Sequence, residues 1–218
     1  MRFDAVLLDL DGTLVDSARD LMEALNRVLA GQGLRRVDLD ETRSMIGDGA
    51  RVLLERALAR TGSDPARAGE LLPVLLDHYG RQATTHTRPY PGVPETLAAL
   101  RARGLKLAVV TNKPEAATHA VLGDLALAPL LDAVVGGDTL PRRKPDPAPV
   151  REALRRLGVA PGRAAMVGDN HHDVRAGQAA GLPVIAVTYG YAHGRPEDFG
   201  AERLIARFDD LPAALAAL

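Results

Sequence analysis

Short apolar runs rich in Val, Leu and Ala recur along this chain, and each breaks off into a polar loop. The first ends at Asp9 in DLDGTLVD; LKLAVV leads into Thr111, Asn112 and Lys113; DAVV leads through GGDTLPRR to Lys144; AAMV leads into Gly168, Asp169, Asn170, His171, His172 and Asp173. Helix-like segments come after the runs, which is the pattern of βαβ units and predicts an α/β fold with a doubly wound, Rossmann-like parallel sheet. From about Val15 to Thr85 the rhythm changes. Apolar residues there have helical spacing (Leu21, Met22, Leu25, Val28, Leu29, then Val52, Leu53, Leu54, Ala57, Leu58), and no convincing strand interrupts them. Gly31 and Gly33 punctuate the first helix and Gly62 the second. A third helical pattern surrounds Leu71 to Tyr79, with Pro73 expected at a helix start or a kink. Pro89, Pro91 and Pro94 mark a return linker, and DDLPAALAAL reads as a closing amphipathic helix. The expected division is a core of residues 1–14 and 86–218 with a small all-helical insertion over 15–85.

Ligands of such sheets bind beyond the carboxyl ends of the strands, so the four polar loops are expected on one edge. Together they bring Asp9, Asp11, Asp169, Asp173, Thr111 and Lys144 to that edge. Asp9 and Asp11 lie where a strand ends, so a nucleophile and a proton-handling partner can converge on one ligand. Gly12 lets the chain turn, and Thr13 is placed to cap the next segment. Alone, DxDG is an ordinary turn sequence; the downstream loops give it chemical meaning. An Asp attacking a phosphate ester is repelled unless a metal ion and a cationic side chain offset the charge of both parties. Asp9, Asp11 and Asp169 are hard oxygen ligands that, with bound phosphate, favour Mg²⁺; zinc would want His or Cys. Thr111 and the neighbouring backbone, including the NH of Asn112, suit phosphate oxygens, and Lys144 supplies a compact positive charge. Lysine is informative because only three of the 27 basic side chains are Lys, at 106, 113 and 144.

Other residues carry blander readings. Lys113 reads as solvated and Asp16 as a helix-start residue. Asp173 is a carboxylate behind the metal ligands, the cap of a helix beginning at Val174, or both. His171 and His172 read as polar residues at the mouth of the site.

Composition narrows the class. The 218 residues carry a net charge of −1 and no run of Lys or Arg, so the footprint of a nucleic-acid binder is missing. No apolar stretch approaches the ~20 residues of a membrane span, and the first residues enter a strand rather than a signal peptide. A cytoplasmic protein without nucleic-acid or membrane partners is expected; the loop chemistry adds a small phosphorylated metabolite as its partner, and a monomer or homodimer is the expected state. The absence of Cys removes disulfides, thiol nucleophiles and Cys-based metal sites.

The four segments resemble the motifs of the haloacid dehalogenase superfamily: DxDGT, a strand ending in Thr, a Lys followed by Pro, and GDxxxD. Within it, GGDTLPRRKPDPAP, VVTNKPEA, IGDGARVLLERAL and VTYGYAHG are similar to bacterial phosphoglycolate phosphatases. One departure is plain. Those enzymes usually carry Ser or Thr and then Arg-Asn after the Gly-Asp of the last motif, where this chain has Asn170, His171 and His172.

The resemblance implies that the insertion is a helical cap closing over the carboxyl edge. Its loop GDGAR would reach the site, with Gly49 allowing close approach and Arg51 reading an anionic leaving group; the competing reading of Arg51 is an exposed surface residue. The resemblance also implies a mechanism in which Asp9 attacks phosphorus to form an aspartyl-phosphate while Asp11 protonates the departing alkoxide and later activates water. Mg²⁺ would be held by the carboxylates of Asp9 and Asp169 and the backbone carbonyl of Asp11, supported by Asp173 and Asn170, while Thr111 and Lys144 hold the phosphoryl oxygens. The implied substrate is 2-phosphoglycolate. Rival readings are a sugar-phosphate phosphatase, such as one for N-acetylmuramic acid 6-phosphate, a phosphomutase, or an idle phospho-ligand binder.

Overall fold

A computed structural model describes residues 2–218. Six parallel strands form the central sheet: β1 (Ala5–Leu8), β4 (Lys106–Val110), β5 (Ala133–Val135), β6 (Ala164–Gly168), β7 (Val184–Val187) and β8 (Arg203–Ile205). Their order is β5-β4-β1-β6-β7-β8, so the chain builds outward from β1 to one side and then crosses to the other. β7 and β8 extend the sheet beyond the four strands that the apolar runs announced.

Alternate strand residues serve opposite faces. Val6, Leu8, Val109 and Val167 pack into one buried cluster and Leu7, Ala108, Val110 and Met166 into the other. Helices α5 (Val93–Ala102), α6 (Glu115–Asp124) and α9 (Leu211–Ala216) cover the first face; α7 (Ala148–Leu157) and α8 (His171–Ala179) cover the second. Burial on both sides is why the strands read as continuous apolar runs rather than as alternating ones. Gly177 permits close approach of α8, because a Cβ there would lie 2.6 Å from Val184 and 3.0 Å from Met166.

Between β1 and β4 lie α1 (Ala18–Gly31), α2 (Leu39–Arg43), α3 (Ala50–Arg60) and α4 (Ala68–Gly80). The chain leaves through β2 (Val15–Asp16) and returns through β3 (Arg88–Pro89), which pair antiparallel, so the expected strandless insertion and linker form a two-stranded ribbon. Buried Leu25, Leu54 and Leu75 of these helices join the cluster on the first sheet face.

Local structure adds to the expectations or departs from them at three points. The short α2 escapes the periodicity of the insertion, although Asp38 and Glu41 form a complete capping box at its start. Pro73 lies inside α4, where Gly69 occupies the position four residues earlier whose carbonyl its ring opposes. Thr13 caps no helix: its hydroxyl is buried without a hydrogen-bond partner among the described residues, and α1 starts five residues later. Among the described residues, no helix is long and apolar enough to cross a membrane.

Candidate active site

Strand register assembles the site. Leu8 of β1 lies level with Val109 of β4 and Val167 of β6, so the chain emits Asp9, Thr111 and Asp169 side by side just beyond the sheet edge. The loop after β1 curls tightly, with the NH groups of Thr13, Leu14 and Val15 all donating to the carbonyl of Leu10. Gly12 sits at φ +86°, and a Cβ there would lie 2.2 Å from Oδ2 of Asp169. Only a residue without a side chain fits.

Asp9, Asp169 and Asp173 are all buried, and one carboxylate oxygen of each lies within 4.8 Å of the others. A single ammonium faces this charge: Lys144 Nζ is 2.8 Å from Asp9 Oδ1 and 2.6 Å from Asp173 Oδ1, and it donates to the Val110 carbonyl at 2.6 Å. Burial pushes the Asp9 carboxyl up to about 6; Lys144 opposes the rise and Asp173 adds to it. Burial, then Asp173 and Asp9, drive the Asp169 carboxyl well above its ordinary value. Burial works against the charge of Lys144, but Asp173 and Asp9 outweigh it and hold the ammonium firmly protonated.

Three buried carboxylates against one lysine leave negative charge uncompensated, and the donors are all oxygen. Such a set fits a hard divalent cation. Asp169 is also braced for the role, since the Tyr191 NH donates to its Oδ2 at 2.7 Å and a Cβ at Gly190 would lie 2.3 Å from its own Cβ. Among the described residues no His joins the cluster.

Several predicted residues take other positions. Asp11 does not turn its carboxylate to the acidic cluster; it accepts from Lys113 Nζ at 3.0 and 3.1 Å and from Ser17 Oγ at 2.6 Å. Lys113, read as solvated, is buried against Asp11. Asp173 is the third residue of α8, which starts at His171 rather than Val174, with Asn170 as its N-cap. Both Asp173 oxygens are engaged, Oδ1 by Lys144 and Oδ2 by the NH groups of Asp169 and Asn170.

Arg51 is the largest correction. It lies on the exposed side of α3 and bonds Glu55 one turn on, at 2.9 Å, away from the cavity. Ala50 and Leu53 of the same helix line the cavity instead, because 51 falls on a different helical face.

Above Asp9 and Asp11 lies a cleft of about 600 Å³ of atom-free space including its mouth, with Thr111 and Lys113 on the sheet side and Ile46, Leu53, Leu75 and Tyr79 on the helical side. The loop Gly47 to Gly49 closes on the core. Asn112 Nδ2 donates to the Gly47 carbonyl at 3.0 Å, and Gly49, at φ +91°, passes close to the Asn112 carbonyl, where a Cβ would lie 3.0 Å away. His172 meets Asp48 at 3.3 Å, with the His171 ring tilted against it at 4.0 Å between centroids. Burial holds both imidazoles below their ordinary pKa.

A family model described as haloacid dehalogenase-like hydrolase matches residues 6–187, a span holding Asp9, Asp11, Thr111, Lys144, Asp169 and Asp173. The chain belongs to that family. Among relatives of this hydrolase, a phosphoglycolate phosphatase of Rhodospirillum rubrum is 45% identical over 213 residues, covering 94% of this chain and 87% of its own length. A phosphoglycolate phosphatase of Pseudomonas putida is 41% identical, covering 96% and 78%. Among crystal structures, a predicted phosphoglycolate phosphatase from Haemophilus somnus superposes with a TM-score of 0.93 at 32% identity, covering 99% of both chains. CbbY from Rhodobacter sphaeroides, in complex with phosphate, superposes with a TM-score of 0.83 at 27% identity over 96% of each.

The buried residues around the site whose contacts the motifs did not announce are Tyr191, Lys113 and Tyr79. Tyr191 lay within VTYGYAHG but carried no chemistry there. Its hydroxyl accepts from the NH groups of Ser17 and Ala18 and donates to Asp16, so one residue braces Asp169 and the start of α1 together.

Proposed function

We propose that this hydrolase is a Mg²⁺-dependent phosphatase that converts 2-phosphoglycolate to glycolate and phosphate through an aspartyl-phosphate on Asp9. The observation that carries the reading is the separation of two carboxylates only two residues apart. Asp9 lies in the acidic cluster beside Lys144, whereas Asp11 lies at the cleft wall beside Lys113. One is placed as a nucleophile whose charge is offset, the other as an acid and base facing the leaving group. The carboxylates of Asp9 and Asp169 and the backbone carbonyl of Asp11 would hold the metal, which supplies charge neutralisation for the phosphoryl group.

Asp9 attacks phosphorus, and the ester oxygen leaves with a proton from Asp11. Asp11, now ionised, takes a proton from water, which attacks phosphorus and frees Asp9. Lys144 offsets charge on the phosphoryl oxygens and Thr111 hydrogen-bonds them. Residues 15–85 act as a cap that opens at the β2–β3 ribbon and closes through the Gly47–Gly49 loop, excluding water. We place this activity in the cytoplasm, with a small metabolite as the partner.

The identities of 41% and 45% to phosphoglycolate phosphatases support the substrate. Likeness to CbbY, a mutant of which is also crystallised with xylulose-(1,5)bisphosphate, favours a sugar-phosphate phosphatase as the second reading. The test is hydrolysis of 2-phosphoglycolate against a panel of sugar phosphates, with chelator and then Mg²⁺ restored. Chelation should abolish turnover, Mg²⁺ should restore it, and phosphoglycolate should have the highest kcat/KM. Full activity in excess chelator, or a sugar phosphate well ahead, refutes the reading.

A further inference from the structure

The wall of the cleft that faces a leaving group is largely apolar, built from residues such as Leu21, Ile46, Leu53 and Leu75. Asp9, Asp11 and Lys113 are the charged side chains that line it. Among the described residues Lys113 is thus its one cation. Its side chain is 4% exposed, its Nζ sits 3.0 Å from Asp11 Oδ2, and it lies 4.4 Å from the centroid of the Tyr79 ring. Tyr79 comes from α4 on the helical side, is 4% exposed, and its hydroxyl has no hydrogen-bond partner among the described residues. A buried hydroxyl without a partner is an unmet demand. Next to a buried ammonium, the group that satisfies both is an anion with two oxygens.

We propose that Lys113 and the Tyr79 hydroxyl form the subsite for a carboxylate on the leaving group, selecting short phosphooxy-carboxylates over neutral phosphate esters. The proposal rests on the phosphatase reading above and sharpens its substrate class. When Asp11 protonates the ester oxygen it must stand about 2.6–3.2 Å from it, and Lys113 lies a further hydrogen-bond length beyond Asp11. In a phosphooxy-acetate, one methylene separates ester oxygen and carboxylate. That reach matches a single step from Asp11 to Lys113. The helical side adds Tyr79, so an anion held between the two would also tie the helical insertion to the core. A hydroxyl-bearing sugar in the same position offers no negative charge to the ammonium. Arg51, on the outer face of α3, takes no part.

The rival explanation is that Lys113 is only the counterion of Asp11. It predicts equal damage to esters whose leaving groups are equally basic, because these need the same acid to the same degree. The experiment measures kcat and KM with Mg²⁺ for 2-phosphoglycolate and for 2-hydroxyethyl phosphate, whose leaving group is equally basic but neutral, in wild type, Lys113→Gln and Tyr79→Phe. The ratio of kcat/KM, phosphoglycolate over hydroxyethyl ester, should fall about ten- to a hundredfold in Lys113→Gln, with part of the loss in KM for phosphoglycolate alone. Tyr79→Phe keeps the ring and should lower the ratio about two- to tenfold. If both substrates fall by the same factor in Lys113→Gln, the proposal is overturned. Should that variant fail to fold, an unchanged ratio in Tyr79→Phe overturns it instead. Wild type is assayed in parallel on 2-phospholactate, 3-phosphoglycerate and sugar phosphates. Preference for another phosphooxy-carboxylate rejects phosphoglycolate as substrate while supporting the subsite, with that ester replacing it in the ratio. Preference for a neutral sugar phosphate overturns both.

Discussion

Replacing Lys144 by Met removes the one positive charge from the acidic cluster while keeping an apolar stem of similar length. Three contacts vanish: 2.8 Å to Asp9, 2.6 Å to Asp173 and 2.6 Å to the Val110 carbonyl, all among buried side chains. Breaking a buried pair by removing one partner typically costs about 3–5 kcal/mol, because the remaining charge is stranded. We expect that loss for Lys144→Met in urea denaturation with excess chelator at pH 8.

The pH dependence follows from Asp9. Its folded carboxyl, pushed up to about 6 from an ordinary 3.8, binds protons more tightly than in the unfolded chain. Stability therefore falls as pH rises from about 4 through 6. Removing Lys144, which opposes that rise, moves the folded value higher and extends the penalty upward in pH. The gap between variant and wild type should accordingly be smaller at pH 5 than at pH 8 by more than about 1 kcal/mol. Added Mg²⁺ should raise the variant's midpoint, since any ligand of the folded state stabilises it by mass action. A variant within about 1 kcal/mol of wild type at pH 8, or a gap independent of pH, would refute the charge balance assigned to this cluster.

Two other substitutions probe geometry. Gly12→Ala puts a Cβ 2.2 Å from Asp169 Oδ2 at a φ of +86°, so beyond about 1–2 kcal/mol of backbone cost the Asp169 carboxylate must shift; the Mg²⁺ concentration for half-maximal activity should rise about 10- to 100-fold, and an unchanged requirement would sink the inference that Gly12 holds Asp169 in place. Arg51→Ala removes only an exposed bond to Glu55; thermal unfolding should report a loss of about 0.2–0.5 kcal/mol with kcat/KM unaltered for both phosphoglycolate and p-nitrophenyl phosphate, whereas selective loss of phosphoglycolate turnover would restore Arg51 as an anion reader.

Much of the site was legible because its logic is local. A strand must end before its polar loop begins, and apolar runs mark where strands end, so Asp9, Thr111 and Asp169 were readable as neighbours on one edge once the sheet was taken to be parallel. Glycines with left-handed backbone, such as Gly12, belong to the same local grammar. The capping box that begins α2 is equally local, but the five residues it starts are too few to show a helical period.

What only the tertiary structure decided is which charge faces which. Lys113 finds its partner Asp11 102 residues earlier in the chain, and Tyr191 ties Asp169 to the first residues of α1 from 173 and 174 positions away. Arg51 and Lys113 are both basic residues in loops or helix starts near the site, and neither one's surroundings in sequence says that the first meets solvent and Glu55 while the second meets a buried carboxylate. Periodicity reports the face a residue occupies on its own element. The counterion it meets depends on how elements pack, and in a chain of 24 Arg and three Lys, burial selects the few cations that stay away from water.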